Sequence, residues 1–392
     1  MRGLARRRRI ADRKECEVNR PISVGVLGLG SIAQIQHLPN LARMESRFRV
    51  AAVADISPRL TQRIADRLAG EVFASTDWRE VCAHPEVEAV LVLTSGAHEQ
   101  ISQGALEAGK HVFAEKPLCL TVEGAERLHA LATEKGLVLQ VGYMKLHEEL
   151  LPDLEEGLNT IGDLRLIRHS VYHPEHSTCL GPSDTLRFDD IDPQAPAEAA
   201  AFEERRTRQA LGDLPPQWGW LYREVLAASF IHTVSFIRGV MGGIPRLTGA
   251  DLWPPLPTGS PTEPPSLMAR AEFPGHPRVE MSWLWLPATP AYREVFEAHG
   301  TRGSLEFRFP NPYFGRTATL VVKSADAAVC HPPGIESAFT RELKVFHRAI
   351  TAGLSSSDAA GAAQDTAFLQ DMVATLTRRE GLAVGGEAET RR

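Results

Sequence analysis

An apolar segment running into a glycine-rich turn restricts the possible folds more than any other feature of this chain. Residues 23–33 read SVGVLGLGSIA, in which Gly28, Gly30 and Ala33 have the G-x-G-x-x-A spacing of a dinucleotide-binding turn. The first glycine permits the tight turn, the second lets the backbone approach a pyrophosphate, and Ala33 lets the helix pack on the strand. The helix N-terminus then faces the phosphates with free N–H groups and a positive dipole end.

A second apolar segment, residues 50–54, ends in Asp55. This carboxylate comes 22 residues after Ala33, about where the motif needs an acid to hold the adenosine ribose hydroxyls. An acid there repels a 2′-phosphate, so we expect NAD, with NADP less favoured. The motif predicts a dinucleotide held by Gly28, Gly30, Ser31, Ile32 and Asp55.

The composition argues against several other classes of protein. With 392 residues, 23% of them charged, and a formal net charge of −6, the chain gives no argument for a nucleic-acid partner. Residues 1–20 contain an arginine run that predicts a basic, disordered tail, because residues 10–15 lack the apolar stretch of an export signal. No segment approaches the apolar length that spans a bilayer, so we expect no membrane partner. Five scattered cysteines favour reduced thiols and a cytoplasmic location.

Apolar segments alternate with helical patterns as far as residue 145. The segments 89–93, 111–114 and 137–142 are apolar apart from His111 and Gln140, which is typical of parallel strands covered on both faces. We therefore predict an α/β fold, with a doubly wound parallel sheet in a Rossmann dinucleotide-binding domain over residues 21–145.

The pattern changes after residue 145. A strand is predicted over residues 164–172, a loop or helical insertion over 173–216, and a helix over 218–241. Five strands then follow without helices between them, which favours a mostly antiparallel or mixed sheet. Two helices, 339–352 and 359–378, end this segment. We assign residues 146–380 to a second α/β domain for substrate binding and oligomerisation, and residues 381–392 to a tail.

Four stretches now occur in a characteristic order. They are the glycine turn of residues 28–33, Asp55, the sequence AGKHV at residues 108–112, and Glu115-Lys116-Pro117. Together they resemble the Gfo/Idh/MocA oxidoreductase family, the glucose–fructose oxidoreductase and inositol dehydrogenase group. The resemblance covers residues 21–380 and is strongest before residue 145. It implies an N-terminal Rossmann domain and a C-terminal α/β domain whose open, largely antiparallel sheet forms a homodimer or homotetramer interface.

The resemblance also implies roles for individual residues. Lys116 lies beside the nicotinamide and the reacting hydroxyl, Pro117 shapes the turn, often after a cis bond, and His232 contacts the same hydroxyl from the second domain. Oxidation of a secondary alcohol needs a base, and a desolvated lysine near a positive ring has its pKa lowered toward neutrality. Further candidates are Thr94, His98 and Glu115 for the cofactor, and Tyr143, Lys145 and Tyr222 for the substrate.

One position departs from the family pattern. Many members carry Asp four residues before the histidine, where this chain has Ala228, so proton transfer by an Asp–His pair is in doubt. Lys116 then acts alone, or with His232, Tyr143 or Tyr222.

Three other motifs have a structural and a functional interpretation. His98 either lies near the cofactor or caps a helix, and Trp218, Trp220 and Tyr222 either pack in the core or offer a stacking surface for a sugar. The H-x-x-H-x-x-C spacing of residues 173–179 is compatible with zinc, but the stretch contains a proline and lies in a predicted loop, so we expect no metal.

The leading hypothesis is an NAD(P)-dependent oxidoreductase acting on a secondary hydroxyl or keto carbon of a sugar, cyclitol or glycoside. A first alternative is transient oxidation that leads to elimination or glycoside cleavage with the cofactor recycled. A second is a non-catalytic dinucleotide-binding regulator, which the missing Asp favours and Lys116 opposes. A third is reduction of an imine or a linear tetrapyrrole.

Overall fold

The computed structural model describes residues 20–390 apart from residues 182, 260, 276, 315, 326, 355 and 356. The predicted basic tail, except for Arg20, lies outside the described residues, as does Cys16.

Six parallel strands form the N-terminal sheet in the order β3-β2-β1-β4-β5-β6. The continuously apolar segments are buried on both faces, as all six residues of β1 are. This order is that of a Rossmann fold, so the predicted doubly wound sheet is confirmed. The strands are β1 (Ile22–Leu27), β2 (Phe48–Ala54), β3 (Phe73–Ser75), β4 (Ala89–Val92), β5 (His111–Ala114) and β6 (Leu139–Val141).

Helices cover both faces of this sheet, and their ends follow from the sequence. Thr121 accepts a hydrogen bond from the Gly124 N–H (3.1 Å) at the start of the helix Val122–Lys135, and Gly136 ends that helix with φ 65°. The helical segments are Ala33–His37 (a π-helical turn), Leu38–Arg43, Pro58–Ala65, Trp78–Ala83, Glu99–Glu107 and Val122–Lys135.

The second sheet has eight strands in the order β14-β13-β12-β11-β7-β10-β9-β8. Only β7 and β10 pair in parallel, so the prediction of a mostly antiparallel sheet is confirmed. The sequence analysis missed β3, β8 and β14; β14 is an edge strand without the alternation of a half-buried strand. The strands are β7 (Leu164–His173), β8 (Arg246–Trp253), β9 (Ser266–Glu272), β10 (Arg278–Trp285), β11 (Arg293–Gly300), β12 (Gly303–Phe309), β13 (Thr319–Ser324) and β14 (Ala328–His331).

The remaining helical segments lie after the first sheet in sequence, and three of them follow the last strand of the second sheet. The predicted insertion contains the 18-residue helix Gln194–Leu211. The remaining segments are Met144–His147 (a 3₁₀ turn), Leu151–Thr160, His176–Leu180, Pro216–Trp220, Leu221–Phe230 (π-helical), Ile231–Met241, Ala338–Thr351, Ala359–Arg379 and Gly386–Thr390.

The continuous helix Pro216–Met241 corrects our statement that no segment has membrane-spanning length. It has 26 residues, and an 18-residue window within it has a mean hydropathy of 1.3. Length and composition alone would let it cross a membrane, but a core helix of a soluble protein passes the same test. Leu221, Phe230 and Phe236 of this helix are fully buried in the protein core, so the helix is weak evidence for a span.

The C-terminal segment packs on the first domain. Residues 381–392, predicted as a tail, include the helix Gly386–Thr390, in which the Glu387 carboxylate accepts hydrogen bonds from the backbone N–H groups of Val122 (2.8 Å) and Glu123 (3.0 Å). A carboxylate at this position satisfies free donors of the helix N-terminus and interacts favourably with its dipole. Phe346, on the helix Ala338–Thr351, packs against Phe113 of β5 with a ring separation of 5.9 Å. Residues near the C-terminus therefore pack on the first domain and cover part of its surface.

Candidate functional site

The glycine turn has the shape that a dinucleotide requires. Gly28 has φ 89°, and a Cβ atom there would lie 2.6 Å from the backbone nitrogen of Thr94, so only glycine fits. At Gly30 a Cβ atom would meet no atom within 4 Å, so the space above the turn is open. The Leu29 N–H donates to the Asp55 carboxylate (2.8 Å) and joins the turn to the end of β2. These residues fit a bound pyrophosphate and ribose.

A loop of the insertion lies along this nucleotide site. Arg187 donates to the Ser31 hydroxyl (3.0 Å), and the Asp190 carboxylate accepts from the Ser57 hydroxyl (2.5 Å) and the Arg59 N–H (2.8 Å). The sequence analysis did not detect this contact because a loop from a distant segment leaves no periodic pattern. A second acid, Asp190, therefore lies beside the residues that follow Asp55.

The adjoining pocket, about 230 Å³, lies at the carboxyl ends of β4 and β5, where ligands bind in open α/β sheets. The predicted residues Ile32, Thr94, His98, Glu115, Lys116 and His232 all line it. The same pocket is also lined by residues that the sequence analysis did not select, among them Met144, Glu203, Arg223, Glu224, Tyr313 and Phe339.

Lys116 is held by the second domain. Its ammonium donates a hydrogen bond to the backbone oxygen of Ala228 (2.8 Å), and the Lys116–Pro117 peptide is cis, as the resemblance implied. Burial lowers the pKa of Lys116; the Glu115 carboxylate opposes this shift, and Lys145 adds to it. A lysine of lowered pKa can exchange a proton with a substrate hydroxyl near neutral pH.

A buried cluster of His37, Glu115 and Glu342 lies behind Lys116. His37 Nε2 is 3.0 Å from a Glu115 oxygen. Burial raises the pKa of Glu115, but the hydrogen bond and charge of His37, with the charge of Lys116, bring it below its ordinary value. Neither carboxylate oxygen of Glu342 has a hydrogen-bond partner among the described residues.

The surroundings of Glu342 favour the protonated form of its carboxyl group. Burial, with the Glu115 charge beside it, holds the pKa of Glu342 well above its ordinary range, because an unpaired buried carboxylate is very costly. Among the described residues, this cluster is the one group of His, Cys, Asp and Glu side chains close enough to hold a metal ion, with ligand atoms within 4.8 Å of one another. Our sequence analysis expected no metal.

His232 faces the pocket from the helix Ile231–Met241. Its Nδ1 atom is buried without a hydrogen-bond partner among the described residues. Burial, followed by the charges of Lys145 and Lys116, lowers the pKa of His232 well below its ordinary value. The imidazole is therefore neutral, and it can donate or accept one hydrogen bond to a ligand in the pocket.

Glu224 supplies a carboxylate on the helix that carries His232. Glu224, Ala228 and His232 follow one another at intervals of four residues, and all three line the pocket. Burial raises the pKa of Glu224; Arg223 opposes this shift and Glu203 adds to it. The four-residue spacing was visible in the sequence, but our search considered only position 228. The nearest carboxylate on this face of the helix is that of Glu224, four residues before Ala228.

Tyr313 and Phe339 reach the pocket from segments far along the chain. Burial, followed by the charges of Glu115 and Cys179, raises the pKa of Tyr313 to about 12, so the phenol stays protonated. The loop that carries Tyr313 is anchored to the first domain, since Gln36 donates to the Pro312 oxygen (2.7 Å). No local sequence signal marks either residue.

Three predicted substrate residues do not line the pocket. Lys145 is buried and donates to both oxygens of Glu294 (2.5 and 2.6 Å), which corrects its assignment to substrate binding. Tyr143 is buried, and burial and the Asp365 carboxylate raise its pKa well above the ordinary value. The Tyr222 hydroxyl donates to the Leu120 oxygen (2.6 Å) inside the core. Tyr143 and Lys145 follow a strand end and Tyr222 precedes His232 in sequence, but all three side chains face the protein interior.

His98 and Trp218 both make structural contacts, and His98 also lines the pocket. The His98 ring lies between the backbone oxygens of Pro117 (2.8 Å) and Thr94 (2.9 Å) and joins two turns, while one edge faces the pocket. Trp218 is 1% exposed and packs in the core. Among the described residues, His173, His176 and Cys179 do not form a group close enough to hold a metal.

Comparison with known proteins identifies the first domain. Residues 22–143 match the model of the Gfo/Idh/MocA family, described as an oxidoreductase family with an NAD-binding Rossmann fold. An inositol 2-dehydrogenase/D-chiro-inositol 3-dehydrogenase of Shouchella clausii is 36% identical over 174 residues, 42% of this chain and 50% of that protein. A dTDP-3,4-didehydro-2,6-dideoxy-alpha-D-glucose 3-reductase of Saccharopolyspora spinosa is 36% identical over 152 residues, 38% of this chain and 45% of that protein. The chain thus matches about half the length of these relatives.

A solved structure resembles the whole chain in fold. A 3-ketoreductase from Actinomadura kijaniata, in complex with TDP-benzene and NADP, has a TM-score of 0.66 and 22% identity, and the match covers 90% of this chain and 96% of that one. That protein is bound to NADP.

Alanine at Gly30 should weaken dinucleotide binding, whereas alanine at Gly28 should lower the stability of the fold. Gly30→Ala should leave the free energy of unfolding within about 0.5 kcal/mol of wild type, as expected away from packed sites. It should weaken dinucleotide binding at least about tenfold, since a methyl group occupies the space that a pyrophosphate needs. Gly28→Ala should lower the free energy of unfolding by about 1–3 kcal/mol through backbone strain. Chemical denaturation and fluorescence titration with NAD and NADP measure both; unchanged affinity in Gly30→Ala would contradict the assignment of the turn.

Replacing Glu342 by Gln should stabilise the protein as the pH rises. A carboxyl whose pKa is raised by folding stabilises the native state fully below its unfolded pKa, and loses that contribution as pH rises through the folded pKa. Wild type should therefore lose about 1.4 kcal/mol per pH unit within that window relative to Glu342→Gln. Melting curves over a pH series test this, with the exposed Glu134→Gln as control. Parallel curves for wild type and Glu342→Gln, or a stoichiometric metal ion lost in that variant, would overturn the neutral assignment.

Proposed function

We propose that this chain is an NAD(P)-dependent oxidoreductase acting on a secondary hydroxyl or keto carbon of a sugar, cyclitol or glycoside, because residues 22–143 match the model of the Gfo/Idh/MocA family of oxidoreductases. One observation carries the proposal. Lys116, with its lowered pKa, lines the pocket beside the open glycine turn, within reach of a hydroxyl placed there.

Different residues of the chain would bind different parts of the cofactor. Gly28, Gly30 and Ser31 hold the phosphates, Asp55 holds the ribose, and Thr94 and Glu115 lie along the nicotinamide side. When bound, the nicotinamide supplies the hydride acceptor for oxidation or the hydride donor for reduction. The cofactor is NAD or NADP, and neither is ranked above the other.

Lys116 acts as the acid–base group. In the oxidative direction the neutral amine of Lys116 accepts the hydroxyl proton while the carbon loses its hydride, and in the reductive direction the ammonium returns that proton. The Ala228 carbonyl holds the Lys116 nitrogen at the pocket wall, so the amine is oriented before the substrate arrives. His232 orients the same hydroxyl through one hydrogen bond.

Glu224 replaces the family's Asp as the carboxylate of this helix. Its position four residues before Ala228 and its partly desolvated carboxyl suit a hydrogen bond to a second substrate hydroxyl. Arg223 and Glu203 provide further polar contacts at the same edge. A pocket with several hydroxyl-binding groups favours polyols over simple alcohols.

The relatives support this substrate class. One is named for inositol and the other for a deoxysugar nucleotide, and both names describe chemistry at a secondary hydroxyl or keto carbon. The predicted cytoplasmic location and the homodimer or homotetramer remain parts of this proposal.

The test is a panel of polyols, cyclitols, sugars and glycosides, assayed with NAD and with NADP by the absorbance of the reduced nicotinamide. Product with stoichiometric reduced cofactor supports the proposal. Product without net reduced cofactor would favour elimination or glycoside cleavage, and dinucleotide binding without any turnover would favour a regulator.

Lys116→Ala should lower kcat by about 10²–10⁴-fold, the usual contribution of a positioned acid–base group. Lys116→Arg should be similarly impaired, because a guanidinium does not release its proton at working pH. In the oxidative direction, wild-type kcat should rise with pH as Lys116 loses its proton, with a midpoint below the ordinary lysine range. Dinucleotide affinity and the activity of the exposed Lys135→Ala control should stay within a few-fold of wild type. A kcat near wild type in either Lys116 variant would remove Lys116 from the mechanism.

Glu224→Gln should raise KM for the substrate about tenfold, the effect of weakening one charge-assisted hydrogen bond. The kcat should change less than in Lys116→Ala, because Glu224 positions the substrate and does not carry the reacting proton. Steady-state kinetics with the best substrate of the panel measure both constants, with Glu198→Gln, an exposed glutamate of the insertion helix, as control. Equal KM values in the two variants would place Glu224 outside the substrate site.

A further inference from the structure

A second cleft, about 500 Å³, lies apart from the dinucleotide pocket and shares no lining residue with it. It is formed by the helix Ala338–Thr351, the 3₁₀ turn Met144–His147 with the residues that follow it, and the connection that precedes β2. Its lining consists of Arg47, Leu146, His147, Glu148, Leu151, Pro152, Glu336, Arg341, Lys344, Val345 and Arg348.

Four cationic side chains converge on this cleft. Arg341, Lys344 and Arg348 are spaced three and four residues apart on the helix Ala338–Thr351, so they lie on one face of it. Arg47 comes from the opposite wall, in the first domain. Within the described part of the chain, Lys344 is paired with Glu336, whereas Arg47, Arg341 and Arg348 form no ion pair with a carboxylate.

The arginines contact neutral groups instead. Arg341 donates its Nε–H to the His147 backbone oxygen (2.9 Å), and an Arg47 nitrogen lies 3.4 Å from His347 Nδ1. Burial, followed by the charges of Arg341 and Arg348, lowers the pKa of His147 to about 4, so this imidazole adds no positive charge near neutral pH. Burial is the larger cause of this shift, and the charges of Arg341 and Arg348 add to it.

The carboxyl group of Glu148 does not neutralise this field. It is buried, and it accepts the Ala318 N–H (3.2 Å) on the side of the second sheet. Burial raises the pKa of Glu148 to about 7, so the group is only partly ionised near neutral pH. Three unpaired guanidinium groups around one cavity repel each other, and a bound anion removes that repulsion.

We propose that this cleft binds a small organic phosphate. The guanidinium groups of Arg47, Arg341 and Arg348 match phosphoryl oxygens, which they can bind with paired hydrogen bonds. The apolar side chains of Leu146, Leu151, Pro152 and Val345 provide a wall for a short carbon skeleton. The phosphates of the dinucleotide bind at the glycine turn, so this second site takes a different ligand.

Calorimetric titration of the full chain with glycerol 3-phosphate tests the proposal. The protein is first saturated with NADP, so that the glycine turn cannot bind the probe, and glycerol and inorganic phosphate are titrated separately. We expect saturable binding of glycerol 3-phosphate, weaker binding of inorganic phosphate, and none of glycerol.

Arg348→Gln should weaken the binding of glycerol 3-phosphate about tenfold or more, since it removes a charge-assisted contact. Arg348 is exposed and has no ion-pair partner among the described residues, so the variant should keep the melting temperature of wild type. Arg67→Gln, with the same loss of charge at an exposed site outside the cleft, should bind as wild type does. No binding to wild type, equal weakening by both variants, or equal affinity for inorganic phosphate would each overturn the proposal.

Discussion

The turn of Glu115 and Lys116 at the end of β5 is the junction on which the site depends. On one side the Glu115 carboxylate contacts His37 Nε2 at 3.0 Å inside the first domain, and on the other the Lys116 ammonium binds the Ala228 oxygen at 2.8 Å. The side chains of two consecutive residues are therefore held by different domains. The negative charge of Glu115 is thereby kept close to the Lys116 ammonium. Burial lowers the pKa of Lys116 and the Glu115 charge opposes that shift, so the balance of these two effects sets how readily Lys116 gives up a proton.

The helix Pro216–Met241 has an unusual backbone where it borders the pocket. Its central ten residues, Leu221–Phe230, have π-helical hydrogen bonding, which is rare and often marks functional sites. This wider segment contains Glu224 and Ala228, and the Ala228 carbonyl accepts the hydrogen bond of Lys116. A backbone oxygen cannot transfer a proton, so it can position Lys116 but cannot replace a carboxylate in proton chemistry. The carboxylate that this helix places in the pocket lining is that of Glu224.

The sequence predicted those parts of the molecule that local patterns determine. Continuous apolar runs indicated the parallel strands, and the spacing of Gly28, Gly30 and Asp55 indicated the nucleotide turn, because each depends on neighbours within one strand–turn–helix unit. Lys116 and His232 came from a motif that is local as well. The sequence was a poor guide to the substrate residues, because residues adjacent in sequence have side chains that point in different directions. Tyr143 and Lys145 directly follow a strand end, yet both side chains turn inward, and Lys145 has its partner Glu294 149 residues away. Long-range contacts of that kind, like those of Tyr313 and Asp190, leave no periodic signal.

The packing of the helix Ala338–Thr351 on the first domain has a consequence for synthesis of the protein. Leu343, Phe346 and Ala349 belong to the same buried cluster as Val24 and Phe113, so one side of the parallel sheet is covered by residues near the end of the chain. A growing polypeptide would complete the glycine turn early but would leave that apolar face open until more than 300 further residues had emerged from the ribosome. The nucleotide-binding domain of this chain is therefore the first to be synthesised, but it is completed only when the helix Ala338–Thr351 is available to pack on it.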